Sequence, residues 1–382
     1  MNDDIYKASI KLHKEHQGKL ETVSKIKLNS KENLSLAYSP GVAEISREIS
    51  RDPSLAREYT LKGNTVAVVS DGSSILGLGN LGALSAIPVM EGKAAIFKEF
   101  AGVNAFPICL DTQDTEEIIK AVKQIAPVFG GINLEDISGP KCFEIESRLR
   151  AELPIPVMHD DQWGAATVTL AGIINALKLT GKNKETVKVV ISGMGAAGVA
   201  TARLFVICGI KNIIYCDSKG MVYEGRGDLT KEKQELLDAS SLKGKEGGLG
   251  DAVVGADIFI GLSKAGTLTK EMVATMADKP VIFALANPTP EIMPDEALSA
   301  GAYIVATGRS DFPNQVNNSL VFPGVFKGML EGNIPQFKIE MFSGIAQALA
   351  DHVTDLSPEK ILPTMFEGGV VDVVSSTIQK YK

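Results

Sequence analysis

The chain is poor in cysteine, in clustered basic residues and in long apolar runs, and each scarcity narrows the possible functions. Four cysteines, Cys109, Cys142, Cys208 and Cys216, are spread over 382 residues, and none forms a C-x-x-C pair. Three lie in or beside apolar runs, which reads as buried free thiols in a reducing cytosol. No group of Lys and Arg stands out, and 39 basic against 46 acidic side chains give a net charge of -7, which argues against an electrostatic nucleic-acid surface. An anionic substrate stays open, because a local metal or lysine can outweigh the global field. No run approaches the ~18 consecutive apolar residues of a membrane span. The first residues, Met1 to Lys7, are charged and have no apolar core, unlike a secretory signal. The expectation is a cytoplasmic protein without nucleic-acid or membrane partners. There is no internal repeat and no low-complexity tract.

What is present is a composition of 45% hydrophobic and 22% charged residues, typical of a globular protein. At ~150 residues per domain, the length predicts two or three domains. Continuous apolar runs at 65–69, 106–110, 128–134 and 155–158 read as buried parallel strands, each followed by a helical stretch. A second series follows at 187–191, 212–216, 257–262, 280–285 and 302–306. Strands alternating with helices predict an α/β fold with helices on both sheet faces. Two domains are expected: an N-terminal parallel α/β domain over 1–160 carrying the carboxylates described below, and a C-terminal Rossmann-type nucleotide domain over 161–382 ending in helices. Helices are predicted over 4–17, from a Ser39 cap and Pro40 to about 50, over 141–152 and over 162–179. Asp114 and Glu117 have the spacing of a capping box. The last helix opens at Ser357-Pro358 or runs from about Gly369.

Two glycine loops match G-x-G-x-x-G, and context separates them. Gly77, Gly79 and Gly82 begin seven residues after their strand ends, with no acidic strand end about 20 residues on; this loop reads as a tight turn. Gly193, Gly195 and Gly198 follow their strand after one residue and open a helix, and Asp217 lies nineteen residues beyond Gly198. Here Gly193 permits the turn, Gly195 admits the pyrophosphate, and Gly198 allows close helix–strand packing. Ala196 and Ala197 begin the helix whose N-terminus favours phosphate charge. Asp217 reads as an acceptor from ribose hydroxyls, which favours NAD over NADP; Lys219 nearby blunts that preference.

Glu135-Asp136 and Asp160-Asp161 end two consecutive strands, so adjacent parallel pairing would bring them roughly 5 Å apart laterally. Clustered carboxylates cannot all stay ionised without a cation, and all-oxygen ligation suits Mg²⁺ or Mn²⁺. The alternative is that one pair binds while the other caps a helix or forms ion pairs. Lys93, beside an apolar run, could become a base if burial near a cation lowered its pKa to ~7–8; most such lysines snorkel to solvent. Tyr38 is expected just before a helix N-terminus. Asn287 and Asn318 lie in proline- and glycine-bounded turns, and His159 reads as structural. Taken singly, each of these residues is also explained as an ordinary packing or turn residue.

Taken together they carry a resemblance. Leu-Ala-Tyr-Ser-Pro-Gly around Tyr38, Gly-Leu-Gly-Asn-Leu-Gly from Gly77, Glu-Gly-Lys ending in Lys93, Asn-Leu-Glu-Asp ending in Asp136, His-Asp-Asp-Gln from His159, Gly-Met-Gly-Ala-Ala-Gly from Gly193, Cys-Asp-Ser-Lys-Gly around Asp217, Ala-Asn-Pro around Asn287 and Asn-Gln-Val-Asn-Asn ending in Asn318 occur in that order. The set resembles malic enzymes of the short bacterial type over nearly the whole chain. The resemblance implies oxidative decarboxylation of L-malate to pyruvate and CO₂ with NAD or NADP and Mg²⁺ or Mn²⁺. It implies Glu135, Asp136 and Asp161 as metal ligands and Asp160 as a carboxylate behind them. Lys93 is implied as general base, Tyr38 as general acid, and Asn287 and Asn318 as substrate-binding amides, Asn287 also beside the cofactor. Gly193, Gly195, Ala196, Ala197, Gly198 and Asp217 are implied as the cofactor site. It further implies a homodimer in which Tyr38 can serve the neighbouring subunit. Two departures stand out: Ser74 replaces the arginine that holds the malate carboxylate in larger animal-type members, and Trp163 and Ala165 replace the His and Thr of many short members. The alternatives are a non-redox oxaloacetate decarboxylase or a malolactic enzyme on the same scaffold, and, from another class, a nucleotide-sensing binder without turnover.

Overall fold

Continuous apolar runs with both faces covered become parallel strands, and this chain builds two sheets from them. A computed structural model describes residues 2–382. The first sheet contains β1 (Thr65–Ser70), β2 (Asn104–Cys109), β3 (Gly131–Leu134) and β4 (Val157–His159), all parallel, in the order β2-β1-β3-β4. The second contains β5 (Val189–Ser192), β6 (Ile213–Asp217), β7 (Gly220–Met221), β8 (Ile258–Gly261), β9 (Val281–Ala284) and β10 (Ile304–Thr307). Their order is β10-β9-β8-β5-β6-β7, and only β7 runs antiparallel. The chain departs to opposite sides of β5, which creates the crevice at which doubly wound sheets bind ligands.

The helix Asp160–Thr180 joins the sheets. It leaves β4 directly and packs against the helices Ala196–Ile207 and Ile339–His352. One apolar core runs through both sheets, from Val66 and Val68 to Val189 and Ile191. The helix Phe322–Gly332 returns to the first sheet: it packs on the helix Ala83–Ala101, and Phe326 covers β3 at Gly131, where a Cβ would lie 3.0 Å from the ring. Among the described residues, no helix is long and apolar enough to cross a membrane. Cys142 and Cys216 are buried, Cys109 and Cys208 half-buried, and all four are free.

Several local expectations need correction. Ser39 and Pro40 do not open a helix. The helix is Val42–Arg51, with Gly41 at its start, and a preceding helix, Lys31–Ala37, is capped by Ser30. Few apolar residues mark that earlier helix, so its periodicity is faint. Tyr38 therefore sits at the C-terminal end of one helix, joined by a short turn to the next. The 128–134 run is shortened because Ala126–Val128 forms a 3₁₀ turn. Asp114 caps its helix by accepting from the Glu116 and Glu117 amides, but the Glu117 carboxylate turns to the Thr112 hydroxyl, so there is no reciprocal box. Ser357-Pro358 opens no helix; the last one is Val370–Gln379, preceded by Gly369 at φ +86°.

Candidate active site

The carboxylates meet because β3 and β4 are paired in parallel with Leu134 opposite His159. Asp160 and Asp161 form the first turn of the long helix rather than a loop, since the strand runs to His159. Asp161 Oδ2 accepts from the Asp136 amide at 2.8 Å. Asp136 itself has φ +54°, uncommon outside glycine and a mark of a backbone held by its surroundings. One oxygen each of Glu135, Asp136 and Asp161 fall within 4.8 Å of one another. Asp136 Oδ2 is buried and has no hydrogen-bond partner. Burial raises the Glu135 carboxyl well above its usual range, and the charges of Asp161, Asp160 and Asp136 add to the effect. Burial, then the charge of Asp161, pushes Asp136 up to about 7. Such a cluster is short of positive charge. Its donors are all oxygen, and its orphaned inward oxygen fits a hard divalent cation.

Lys93 brings a positive side chain to the cluster. It rises from the helix Ala83–Ala101, with Nζ 2.6 Å from Asp160 Oδ2, 3.0 Å from Glu135 Oε1 and 4.4 Å from the centre of the Phe322 ring. It does not snorkel to solvent. Burial alone would lower its pKa, but Asp160, Glu135 and Asp161 outweigh burial and raise it, so the lowered value expected near a cation is reversed where only carboxylates surround it. Asp160 is fully buried beneath the lysine. Gly164 makes room for it, since a Cβ there would lie 1.9 Å from Asp160 Oδ1.

These residues share one cavity of about 610 Å³. Lys93, Glu135, Asp136, Asp161, Asn287, Asn318 and Ser74 line it together with Gly195, Ala196, Ala197 and Gly198. The nucleotide loop has the expected constraints. Gly193 has φ +106°, and a Cβ there would lie 2.2 Å from the Leu262 carbonyl oxygen. Space above Gly195 is open. Gly198 packs on the loop's own Gly193 carbonyl, 1.8 Å from a built Cβ, rather than on a strand. The first glycine loop is pressed against the loop after β9: a Cβ at Gly77 would lie 1.7 Å from the Asn287 carbonyl oxygen. It is a turn that shapes the cavity.

Two predicted residues stand apart. Tyr38 is 68% exposed and does not line the cavity, which has no tyrosine in its wall. Asp217 ends β6 as expected, but its oxygens are engaged by Arg226, Lys233 and the Lys219 amide. Trp163 packs away from the cavity, stacked on Phe342 at 5.1 Å.

Two buried glutamates escaped the sequence reading. Glu291 accepts from the Ser263 amide at 2.8 Å and the Ala286 amide at 3.0 Å, tying together the loops after β8 and β9 that line the cavity. Glu146 accepts from the His159 amide at 3.1 Å, Gln162 Nε2 at 3.0 Å and Trp163 Nε1 at 3.2 Å, which fixes the turn bearing Asp160 and Asp161. Neither has an acidic residue directly beside it in the sequence, so no paired carboxylate announces it.

A doubly wound nucleotide sheet facing a carboxylate cluster and a buried lysine defines a dinucleotide-dependent dehydrogenase with a candidate cation site. Comparison with known proteins narrows the class. Residues 17–150 match the malic enzyme N-terminal domain and residues 163–378 the malic enzyme NAD-binding domain. The chain is 52% identical to the bifunctional malic/malolactic enzyme of Bacillus subtilis, covering 97% of this chain and 92% of that one. It is 50% identical to the NAD-dependent malic enzyme of Geobacillus stearothermophilus, covering 94% and 76%. The crystal structure of NAD-dependent malic enzyme from Thermotoga maritima superposes with a TM-score of 0.93 at 47% identity, covering 97% and 98%. The chain belongs to the malic enzyme family.

Proposed function

We propose that this protein oxidises and decarboxylates L-malate to pyruvate and CO₂, reducing a nicotinamide dinucleotide in the presence of Mg²⁺ or Mn²⁺, and that it also decarboxylates oxaloacetate. The observation that supports this most is the meeting, in one cavity, of Lys93, the carboxylates of Glu135, Asp136 and Asp161, and the loop from Gly195 to Gly198. As the free amine, formed once positive charge on the carboxylates offsets their pull, Lys93 Nζ accepts the proton of the C2 hydroxyl as hydride leaves C2 for the nicotinamide. Asp160 and Glu135 hold that ammonium in place, at 2.6 and 3.0 Å. A divalent cation on Glu135, Asp136 and Asp161 would supply Lewis-acid stabilisation of the charge that grows on the substrate oxygen as CO₂ departs. Asn287 and Asn318 orient the substrate carboxylates, with Ser74 on the cavity wall where an arginine is absent. Tyr38 then donates a proton to C3.

Tyr38 is far too exposed to serve the cavity of its own chain as it stands. Its surroundings support a homodimer in which it enters the partner's site. Ile5, Ile10, Leu34, Leu36, Val42 and Ile45 of the N-terminal arm are all exposed, an unusual concentration of bare apolar side chains. We place the domain division at 160/161, where β4 becomes the long helix, and the protein in the cytoplasm.

The test is incubation of the purified chain with L-malate and Mn²⁺, with NAD and NADP in parallel, following reduced nicotinamide by absorbance and assaying pyruvate. Equal amounts of both products, abolished by a chelator, bear the reading out. Pyruvate from added oxaloacetate without any redox change would replace it with a lyase. Lactate without net reduced cofactor would replace it with malolactic turnover.

A further inference from the structure

The helix Asp160–Thr180 leaves one face partly bare at the end far from its carboxylates. Leu170, Ile174 and Leu177 recur along that face at helical spacing. With Cys208 and Ile210, just past the helix Ala196–Ile207, they floor a groove of about 620 Å³. Ser343 and Gln347 of the helix Ile339–His352 border it. Leu170 and Ile210 are buried, whereas Ile174, Leu177 and Cys208 are only half-buried. The volume is that of a small-molecule pocket. The groove shares no residue with the catalytic cavity.

Its rim carries charge of one sign. Lys178, Lys182 and Lys184 line the groove and no Asp or Glu does, in a chain whose net charge is -7. Two of the three are spent: Lys178 pairs with Asp351 at 3.0 Å and Lys182 with Asp257 at 2.7 Å. Among the described residues the Lys184 ammonium has no ion pair and no hydrogen bond, and it lies beside Cys208, since a Cβ built on Gly209 would be 3.8 Å from its Nζ. The ends of the neighbouring helices are closed by their own amides. Gly181 donates to the Leu177 carbonyl, Gly209 to Val206 and Ile210 to Phe205. One unpaired positive charge therefore stands next to a half-bare apolar floor. A single carboxylate with an alkyl tail satisfies both: it pairs the charge and takes the floor out of water. A polyanion would leave the floor bare, and a neutral lipid would leave Lys184 unpaired.

We propose that this groove binds a free fatty acid of medium chain length, with its carboxylate on Lys184 and its tail along Leu177, Ile174 and Leu170. The site is separate from the catalytic cavity and does not depend on the reaction assigned to it.

The test uses the whole purified protein and decanoate below its micelle-forming concentration. Calorimetry should show binding, and hexanoate should bind about tenfold or more weakly, because each missing methylene leaves apolar surface wet. Cys208 in the floor reports where the ligand sits. Decanoate should slow its alkylation by iodoacetamide, read by peptide mass spectrometry, while Cys109, half-buried in the other sheet, keeps its rate. Lys184 is exposed, so its substitution leaves the fold intact. Lys184→Gln should weaken decanoate about fivefold, the upper scale of an exposed ion pair, and Lys184→Arg should restore most of the affinity. Absence of any heat of binding would overturn the proposal, as would decanol binding as tightly as decanoate or an affinity that Lys184→Gln leaves unchanged. Decanoate binding without protection of Cys208 would place the ligand elsewhere and overturn it too. If Cys208 is protected without decanoate and becomes reactive as the protein is diluted, a second copy covers the groove, and the fatty-acid assignment fails.

Discussion

Lys93 shows how much of a residue's chemistry depends on neighbours that sequence separates. It is one lysine beside an apolar run, yet it is buried between Asp160 and Glu135, with its ammonium favoured until positive charge arrives on the carboxylates. Lys93→Ala is expected to lower kcat by ~10²–10⁴, the range of a lost general base, while dinucleotide binding followed by fluorescence stays close to wild type. Normal turnover would remove the lysine from the reaction. Asp217 carries a second residue-level expectation. Its folded pKa of about 2 lies below the unfolded value, so its pairing stabilises the protein above roughly pH 4 and that contribution is lost as pH falls towards 2. In urea melts, the stability gap between wild type and Asp217→Asn should be open at pH 7 and narrow as pH falls below 4. A gap independent of pH would show that the variant acts by packing alone. Glu146 and Glu291 are legible only in space, because each holds backbone amides or side chains from separate segments.

Among the elements, the two glycine loops look alike in sequence and differ in structure. Both reach the cavity, but space is open above Gly195, whereas Gly77 is jammed against the Asn287 carbonyl. The difference follows strand distance, because a loop directly after a strand stays at the sheet's ligand-binding edge. Substitution separates the loop's glycines by role. Gly195→Ala meets no neighbour within 4 Å, so its melting temperature should match wild type while the KM for dinucleotide rises. Gly198→Ala would drive a Cβ onto the Gly193 carbonyl, so it should lower the melting temperature as well. Equal thermal stability of both variants would contradict this assignment. Helices were less legible where their stripe is thin: Lys31–Ala37 has no buried residue, so nothing in its pattern demanded a helix.

At the scale of the whole molecule, the two sheets share a core, but the arm that bears Tyr38 does not join it. Neither Asn2–His16 nor Lys31–Ala37 buries a described residue fully, and Tyr38 is not among the residues that line the cavity. Hybrid dimers test the partner assignment. Mixing subunits carrying Tyr38→Phe with subunits carrying Lys93→Ala should restore about a quarter of wild-type activity, because half the dimers are mixed and one of their two sites is intact. If each tyrosine served its own chain, mixing would restore nothing. The alternation of apolar runs and helices, the nucleotide loop and the strand-end carboxylates were all readable from the chain alone. They follow from local rules: continuous runs bury, glycines permit turns, and strand ends carry ligands. Which cations engage Asp217, what surrounds Lys93, and that Tyr38 lies outside the cavity were decided only by tertiary structure. Charge pairing and burial join positions far apart in sequence, and no local pattern encodes the distance between them.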